Sequence, residues 1–413
     1  VKGARRSLTH VGGDVDLGGD TSAAKTLARA LDVPPSVASE ERGEGPDRAH
    51  VHGFHTYPAR MHPITARRLV EAFSPSGGAV LDPFCGSGTV LVEAMIAGRA
   101  AFGTDLNPLA VALATLKTRI CSRDELDALV VAARDAAAHA EARRKARAGA
   151  TRRYGEDDVA MFEPHVLLEL DGIRDGITRA PKELRPPLLL VLSAILGKVS
   201  RREGDTSVRA ATRRIAAGYT SKLFTRKAEE LAHRLDELAD LVHKNQKRPR
   251  VTIAIDDARK LRTIAPSSID VAITSPPYVA TYDYLAHHAL RMRWLGMDAA
   301  AFERGELGAR RRFARLHADE ARRVWSDELA AVMRAIARTL RPGGALVLLI
   351  ADSAVARTAL RAHDIVAEIA PSCGLEPLAR ASQARPHFHG PTAAAFKDAP
   401  RAEHALLLEK RRA

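Results

Sequence analysis

Two short stretches of the chain combine residue types suited to binding a nucleoside and to activating an amine. The first, Val80-Leu-Asp-Pro-Phe-Cys-Gly-Ser-Gly-Thr89, runs from an apolar strand pattern into the helical pattern Val90 to Ala97. Gly86 and Gly88 permit a tight turn that brings a ligand against the helix N-terminus, where free N–H groups and the helix dipole attract a carboxylate or phosphate. A Gly-x-Gly turn is weak evidence alone. Asp105 strengthens it, because it ends the next strand pattern in Gly-Thr-Asp-Leu-Asn-Pro, where a carboxylate can accept hydrogen bonds from ribose hydroxyls. Asp257, in Ile-Asp-Asp-Ala-Arg after a third strand pattern, can bond an adenine amino group, with Asp256 as the competing candidate. Together these residues predict a nucleoside pocket at the carboxyl ends of three strands. Val90 and Leu91 stand where a dinucleotide site has its third glycine, which argues against a pyrophosphate-bearing cofactor.

The second stretch is Ile273-Thr-Ser-Pro-Pro-Tyr278, at the end of a fourth strand pattern. Two prolines stiffen the backbone and remove two N–H donors, so carbonyl oxygens point outward beside an aromatic ring. An acceptor-rich corner with a stacking platform suits a planar group that carries an amine.

With these residues the sequence resembles the S-adenosylmethionine-dependent amino-methyltransferases that act on exocyclic nitrogens of nucleic-acid bases, and most of all the bacterial DNA enzymes that modify cytosine N4 or adenine N6. Asp82-Pro-Phe-Cys-Gly-Ser-Gly-Thr89 is similar to their cofactor loop and Thr274-Ser-Pro-Pro-Tyr278 to their catalytic motif. Phe54-His-Thr-Tyr-Pro-Ala-Arg-Met-His-Pro63 is similar to the segment that closes over the methionine end of the cofactor. Tyr282-Asp-Tyr-Leu, Trp294-Leu-Gly296 and Leu340-Arg-Pro-Gly-Gly344 extend the likeness, which covers about residues 52–120 and 250–410.

The resemblance implies S-adenosyl-L-methionine as cofactor, with Phe84, Gly86 and Gly88 wrapping its methionine moiety and Asp105 on the ribose; Tyr57, Asp82, Ser87 and Asp257 complete the expected cofactor-binding residues. It implies Ser275, Pro276, Pro277 and Tyr278 as the catalytic corner. Ser275 and the Pro276 carbonyl would accept hydrogen bonds from the target amine, and Tyr278 would stack on an extruded base. Such an amine is a poor nucleophile, because its lone pair is delocalised into the ring. Acceptors on its two hydrogens favour the pyramidal, nucleophilic form as the methyl arrives. No cysteine nucleophile is needed, and Cys85 reads as a small packing residue. The family commonly shows Asp or Asn at the position of Ser275 when adenine is the target, so Ser275 tilts the expectation towards cytosine N4. Double-stranded DNA is the expected partner; an RNA base amine and an inactive nucleic-acid-binding module are the alternatives.

The elements that must position these residues are short apolar runs, each followed by a helical pattern: Ala79 to Leu81, Ala100 to Gly103, Val251 to Ile255, Ile269 to Ile273 and Ala345 to Ile350. Leu375 to Ala381 and His404 to Glu409 end the chain as a possible hairpin. This pattern predicts an α/β fold with a parallel, Rossmann-like methyltransferase sheet. Between the second and third runs the rhythm breaks into helices over Asp124 to Arg147, Val166 to Arg174, Pro187 to Leu196, Val208 to Ala217 and Ser221 to His243. The expected organisation is a loosely ordered arm over 1–50, a methyltransferase domain over 51–120 and 250–413, and a helical insert over 121–249 as candidate target-recognition region.

The 413 residues carry 63 Lys and Arg against 50 Asp and Glu, a net charge of +13 that favours a polyanionic partner. The excess is concentrated in the insert, where Lys198, Arg201, Arg202, Arg209, Arg213, Arg214, Lys222, Arg226 and Lys227 meet only Glu203 and Asp205. Arg201, Arg202, Arg213 and Arg214 are the first candidates for phosphate contacts. Arg310, Arg311, Arg312 and Arg315 form a second basic cluster. Three scattered cysteines provide neither a disulfide framework nor a CxxC zinc site. His287 with His288, and His387 with His389, lack a supporting ligand pattern, so no metal is assigned. No apolar run reaches the length of a membrane span, the longest being Leu188 to Leu196, interrupted by Ser193. No basic-then-apolar leader opens the chain, and Val1 in place of Met reads as a processed or trimmed start. A cytoplasmic address is expected, and the oligomeric state stays open.

Overall fold

The computed structural model describes residues 13–33, 48–58, 60–202, 214–244, 248–386 and 390–411. Its centre is an eight-stranded sheet built from β1 (Val15–Gly19), β2 (Ala79–Asp82), β3 (Ala100–Asp105), β4 (Val251–Ile255), β5 (Ile269–Thr274), β6 (Leu340–Ala351), β9 (Leu375–Ala384) and β10 (Ala402–Lys410), while β7 (Ser353–Val355) and β8 (Thr358–Leu360) form a separate hairpin. The order across the sheet is β1-β9-β10-β6-β5-β2-β3-β4. β4, β3, β2, β5 and β6 are parallel, and β10 runs antiparallel between β6 and β9. This is the mixed α/β architecture expected, and every apolar run read above as a strand forms one, while the longer run Leu188 to Leu196 lies in a helix. The order reverses at β2, whose neighbours are β3 and β5, so the loops that leave these strands open into one crevice.

Apolar layers cover both faces. Val80, Val271, Ile273 and Val347 meet Leu27, Leu69, Val90 and Leu91 on one side, whereas Leu81, Ala272, Leu346 and Leu348 pack with Trp325, Leu329, Met333 and Ile336 on the other. The strands are therefore apolar on successive residues, as parallel strands buried on both faces must be.

Within the N-terminal arm expected to be loosely ordered, residues 13–33 hold regular structure, while 1–12 and 34–47 lie outside the described residues. Val15–Gly19 pairs antiparallel with β9, and the helix Thr21–Leu31 follows, capped by the Asp20 carboxylate that accepts from Ala23 N at 2.8 Å. Its buried Ala24, Leu27, Ala30 and Leu31 join the core. Val-Asp-Leu-Gly-Gly has little strand propensity of its own; the β9 edge supplies the partner.

The insert holds helices Arg123–Lys145, Glu156–Met161, Pro164–Arg179, Arg185–Val199 and Tyr219–His243. Ser122 and Glu125 form a capping box at the first. The short helix Glu156–Met161 had no clear pattern, and the helix expected over Val208 to Ala217 is not seen in its described end, residues 214–217, which are irregular. The bundle is not separate from the sheet layer: Leu170, Leu188, Ile195 and Leu231 share one core with Val92, Met95, Leu109 and Leu113. Ser193, which interrupts the apolar run, is buried and hydrogen-bonded to His55 Nε2 at 3.0 Å. Among the described residues no helix is long and apolar enough to cross a membrane.

Candidate active site

The glycine loop leaves β2 and enters the helix Thr89–Ile96 with Gly86 at φ 49° and Gly88 at φ 86°. Both are left-handed conformations that a side chain strains. Space is short as well: a Cβ on Gly88 would lie 3.0 Å from Ala114 Cα, and one on Gly86 3.2 Å from Tyr57 Cε1. The loop is held by acids. Asp105 accepts from Gly86 N at 3.0 Å and from Asn107 N at 2.9 Å. Asp82 accepts from Phe84 N at 3.1 Å and from Thr274 Oγ1 at 2.6 Å, so its carboxylate ties the cofactor loop to the residue preceding Ser275. Burial raises both carboxyls, Asp82 to about 7 and Asp105 to about 6.

Around this loop lies a cleft of about 870 Å³, including its open mouth, lined by Tyr57, Asp82, Phe84, Gly86, Ser87, Asp105 and Asp257 among others. The sequence-predicted cofactor residues are thus brought together, except that Gly88 shapes the turn without lining the cleft. Tyr57 stacks on His288 with centroids 4.7 Å apart, and its hydroxyl accepts from Asn107 Nδ2 at 3.3 Å. Asp257 and Asp256 both reach the cleft. Arg259 binds the Asp257 carboxylate from Nε at 2.9 Å and from NH2 at 2.8 Å, and Thr263 N and Oγ1, each at 2.8 Å, bind Asp256.

The cleft fits a nucleoside with an amino-acid tail. The hydroxyls of Ser87 and Thr89 are buried, line the cleft and have no hydrogen-bond partner in the protein, at the end of a helix whose N–H groups also face a ligand. Phe84, Leu106, Phe302 and Leu307 supply apolar wall, and Asp105 and Asp257 supply acceptors.

A second cleft of about 650 Å³, including its mouth, adjoins the first and is lined by Ser275, Pro276, Tyr278, Tyr282, Arg385 and Glu403, with Leu31 and Val33 of the N-terminal arm. Arg60, Met61, Ser275 and Tyr284 line both clefts, and Pro277 faces the first. The Ser-Pro-Pro-Tyr corner therefore forms the wall between two cavities.

The basic candidates divide. Arg201 is exposed but bound at both ends of its guanidinium by Glu163, at 3.0 and 2.9 Å. Arg202 and Arg214 are exposed; Arg213 lies outside the described residues. Lys227 is buried, with Nζ 2.8 Å from both Glu230 oxygens, so it does not belong to the surface charge. In the second cluster Arg310 pairs with Asp283, Arg311 with Glu306 and Arg312 with Glu328.

His288 is buried against Tyr57, and burial lowers its pKa to about 3, while His387 and His389 lie outside the described residues. His50, His52 and Glu93 form a buried group of metal-capable atoms that sequence spacing did not bring forward, since Glu93 comes from a distant helix. Glu93 is already bound by His52 at 2.7 Å and Arg67 at 2.8 Å, and the charges of Arg60, Arg67, Lys117 and Arg234 bear on the two histidines. That surrounding opposes a cation, and the group reads as an internal pin.

The sequence pattern also did not point to Asn107, Phe302, Arg385 or Glu403. Only Asn107 left a local signal, as the side-chain cap before Pro108, accepting from Leu109 N at 3.0 Å. Trp294 of the familiar Trp-Leu-Gly segment is buried and donates from Nε1 to Asp158 of the insert at 3.0 Å.

Residues 33–116, which hold the glycine loop and Asp105, match the model of the N6/N4 DNA methylase family. The match spans about a fifth of the chain. The Type II methyltransferase M.MvaI of Kocuria varians is 41% identical over 70 residues, which are 16% of this chain and 15% of that protein. M.MjaII of Methanocaldococcus jannaschii is 35% identical over 68 residues, 16% of this chain and 13% of that methyltransferase. The chain thus matches only a small share of either relative. A SAM-dependent methyltransferase of Methanosarcina mazei superposes at a TM-score of 0.32 and 10% identity, covering 87% of this chain and 100% of that one, too slight a likeness to carry an argument.

Proposed function

We propose that this protein transfers a methyl group from S-adenosyl-L-methionine to an exocyclic amine of a DNA base, cytosine N4, on a base turned out of the duplex. The observation that carries this reading is the corner Ser275 to Tyr278 standing between two adjoining clefts, with Ser275 lining both. One cleft offers acids, glycines and unpartnered hydroxyls to a nucleoside with an amino-acid tail, and the other offers acceptors beside an aromatic ring. The match of residues 33–116 to the DNA methylase family model supports the same chemistry.

When bound, the cofactor supplies an electrophilic methyl on a sulfonium. Asp105 accepts from the ribose hydroxyls, while Gly86 and Gly88 keep the loop backbone close. Ser275 and the Pro276 carbonyl would accept the two amine hydrogens and turn the nitrogen lone pair out of the ring plane; as the N–CH3 bond forms, the S–CH3 bond would break to leave a neutral thioether, and one amine proton would pass to solvent. Tyr278 offers its ring to the base, a contact worth about 1–3 kcal/mol against an extrusion cost of a few kcal/mol. Exposed Arg214 is the insert's leading phosphate contact, with Arg201 held back by Glu163.

The test is transfer of tritiated methyl to plasmid DNA and to total RNA in parallel. Label in DNA supports the reading. Label only in RNA moves the assignment to RNA, and nucleic-acid binding without label makes the chain an inactive binding module.

A further inference from the structure

Behind the second cleft the ring of Tyr278 is tethered. Its hydroxyl donates to Glu403 Oε1 at 2.7 Å, Arg385 Nε donates to Glu403 Oε2 at 2.9 Å, and Arg385 also binds the Gln383 side-chain oxygen. Glu403, Arg385 and Gln383 are 4%, 5% and 2% exposed. Glu403 lies in β10 and Gln383 directly across from it in β9, so the tether is anchored on two central strands. Gln383 continues it to the N-terminal arm, donating to Gly13 O at 2.9 Å. Arg401 sits over the Tyr278 ring, 6.0 Å from its centroid.

A buried ion pair is a costly way to fill a core, since an apolar pair of similar volume often serves as well or better. This one presents a fixed acceptor to the one polar atom of the ring that forms the cleft wall. We propose that Glu403, held by Arg385, is the positioning residue that sets the orientation of Tyr278 for stacking on the target base. The inference rests on the function proposed above.

The test is single-turnover methyl transfer to plasmid DNA with protein in excess, alongside cofactor affinity by calorimetry and thermal melting. Tyr278→Phe keeps the ring and the Glu403–Arg385 pair but removes the hydroxyl from both Glu403 and the neighbouring Ser275, so the Glu403→Gln arm isolates the tether. Loss of the tether predicts a rate lower by about 10- to 100-fold with cofactor affinity unchanged, and a lower melting temperature, because the buried Glu403 oxygen loses its donor. Glu403→Gln retains an acceptor oxygen and should lose less than about 10-fold, as expected of a neutral hydrogen bond. The double variant should be no slower than Tyr278→Phe alone, because both changes act on one tether. A Tyr278→Phe protein as fast as wild type, or effects that add, would overturn the positioning role while leaving methyl transfer in place. Absence of transfer by the wild-type protein would remove the proposed function and this role together.

Discussion

Replacing Asp105 with asparagine should separate cofactor binding from stability. The carboxylate accepts from two backbone donors, Gly86 N at 3.0 Å and Asn107 N at 2.9 Å, one on each oxygen. An asparagine can satisfy only one of them, and its NH2 group must face the other N–H. The folded state therefore loses one charge-assisted bond. That bond is already contained in the net pKa, because burial holds the carboxyl at about 6 against 3.8 even though its backbone donors lower it; keeping it ionised at neutral pH thus costs at most about 3 kcal/mol, and asparagine removes that net cost. The lost bond is more than offset, and the melting temperature should not fall. Binding has no such compensation. The ribose loses its charged acceptor and Gly86 its anchor, so affinity for S-adenosylmethionine should fall at least 10- to 100-fold, by about 1.5–3 kcal/mol. Calorimetric titration and thermal melting of one preparation give both numbers. Unchanged affinity would refute the assignment of Asp105, and a binding loss accompanied by a clear drop in melting temperature, about 4 °C or more, would refute the stability reasoning.

Three more outcomes follow from the same geometry. A raised carboxyl pKa means that the folded chain holds this proton more tightly than the unfolded one. Asp105 thus favours folding most below pH 3.8, its contribution falls as pH rises through about 6, and cofactor affinity should run the other way, weakening as pH drops below about 6; affinity independent of pH between 5 and 7 would contradict this. Gly88→Ala forces a side chain into φ 86° with its Cβ 3.0 Å from Ala114 Cα, and should destabilise by about 1–2 kcal/mol, measured by urea unfolding; wild-type stability would show that the turn relaxes. Arg214→Ala should flatten the salt dependence of duplex binding by up to about 0.9 for one lost phosphate contact, whereas Arg201→Ala, whose guanidinium is committed to Glu163, should leave the slope nearly unchanged. Equal slopes for the two variants would return both residues to a solvated face.

What the chain order reveals depends on whether the cause is local. The five parallel strands were legible because burial on both faces demands continuous apolar runs, and the glycine loop because its positive φ angles demand glycine. The strand Val15–Gly19 was not, since two glycines and an aspartate become a strand only through β9, more than three hundred residues away. The charge of Arg201 was visible but Glu163, its partner, was not, so a residue that looked free for phosphate is partly spent. Lys227 misled in the same way, because its burial beside Phe54 and Glu230 is decided by packing across the insert. In the site, Asp105 and the Ser275 corner announced themselves through motifs, whereas Glu403 and Arg385 carry no motif and meet Tyr278 only when β9 and β10 close beside β6.

The central claim is methyl transfer to a base amine of DNA. Incubation with S-adenosylmethionine carrying a trideuterated methyl, followed by nucleoside mass spectrometry of the DNA, names the product atom directly. The account predicts trideuterated N4-methyldeoxycytidine. N6-methyldeoxyadenosine would keep the two-cleft mechanism and overturn the reading of Ser275, and C5-methyldeoxycytidine or no deuterated nucleoside at all would contradict the account itself.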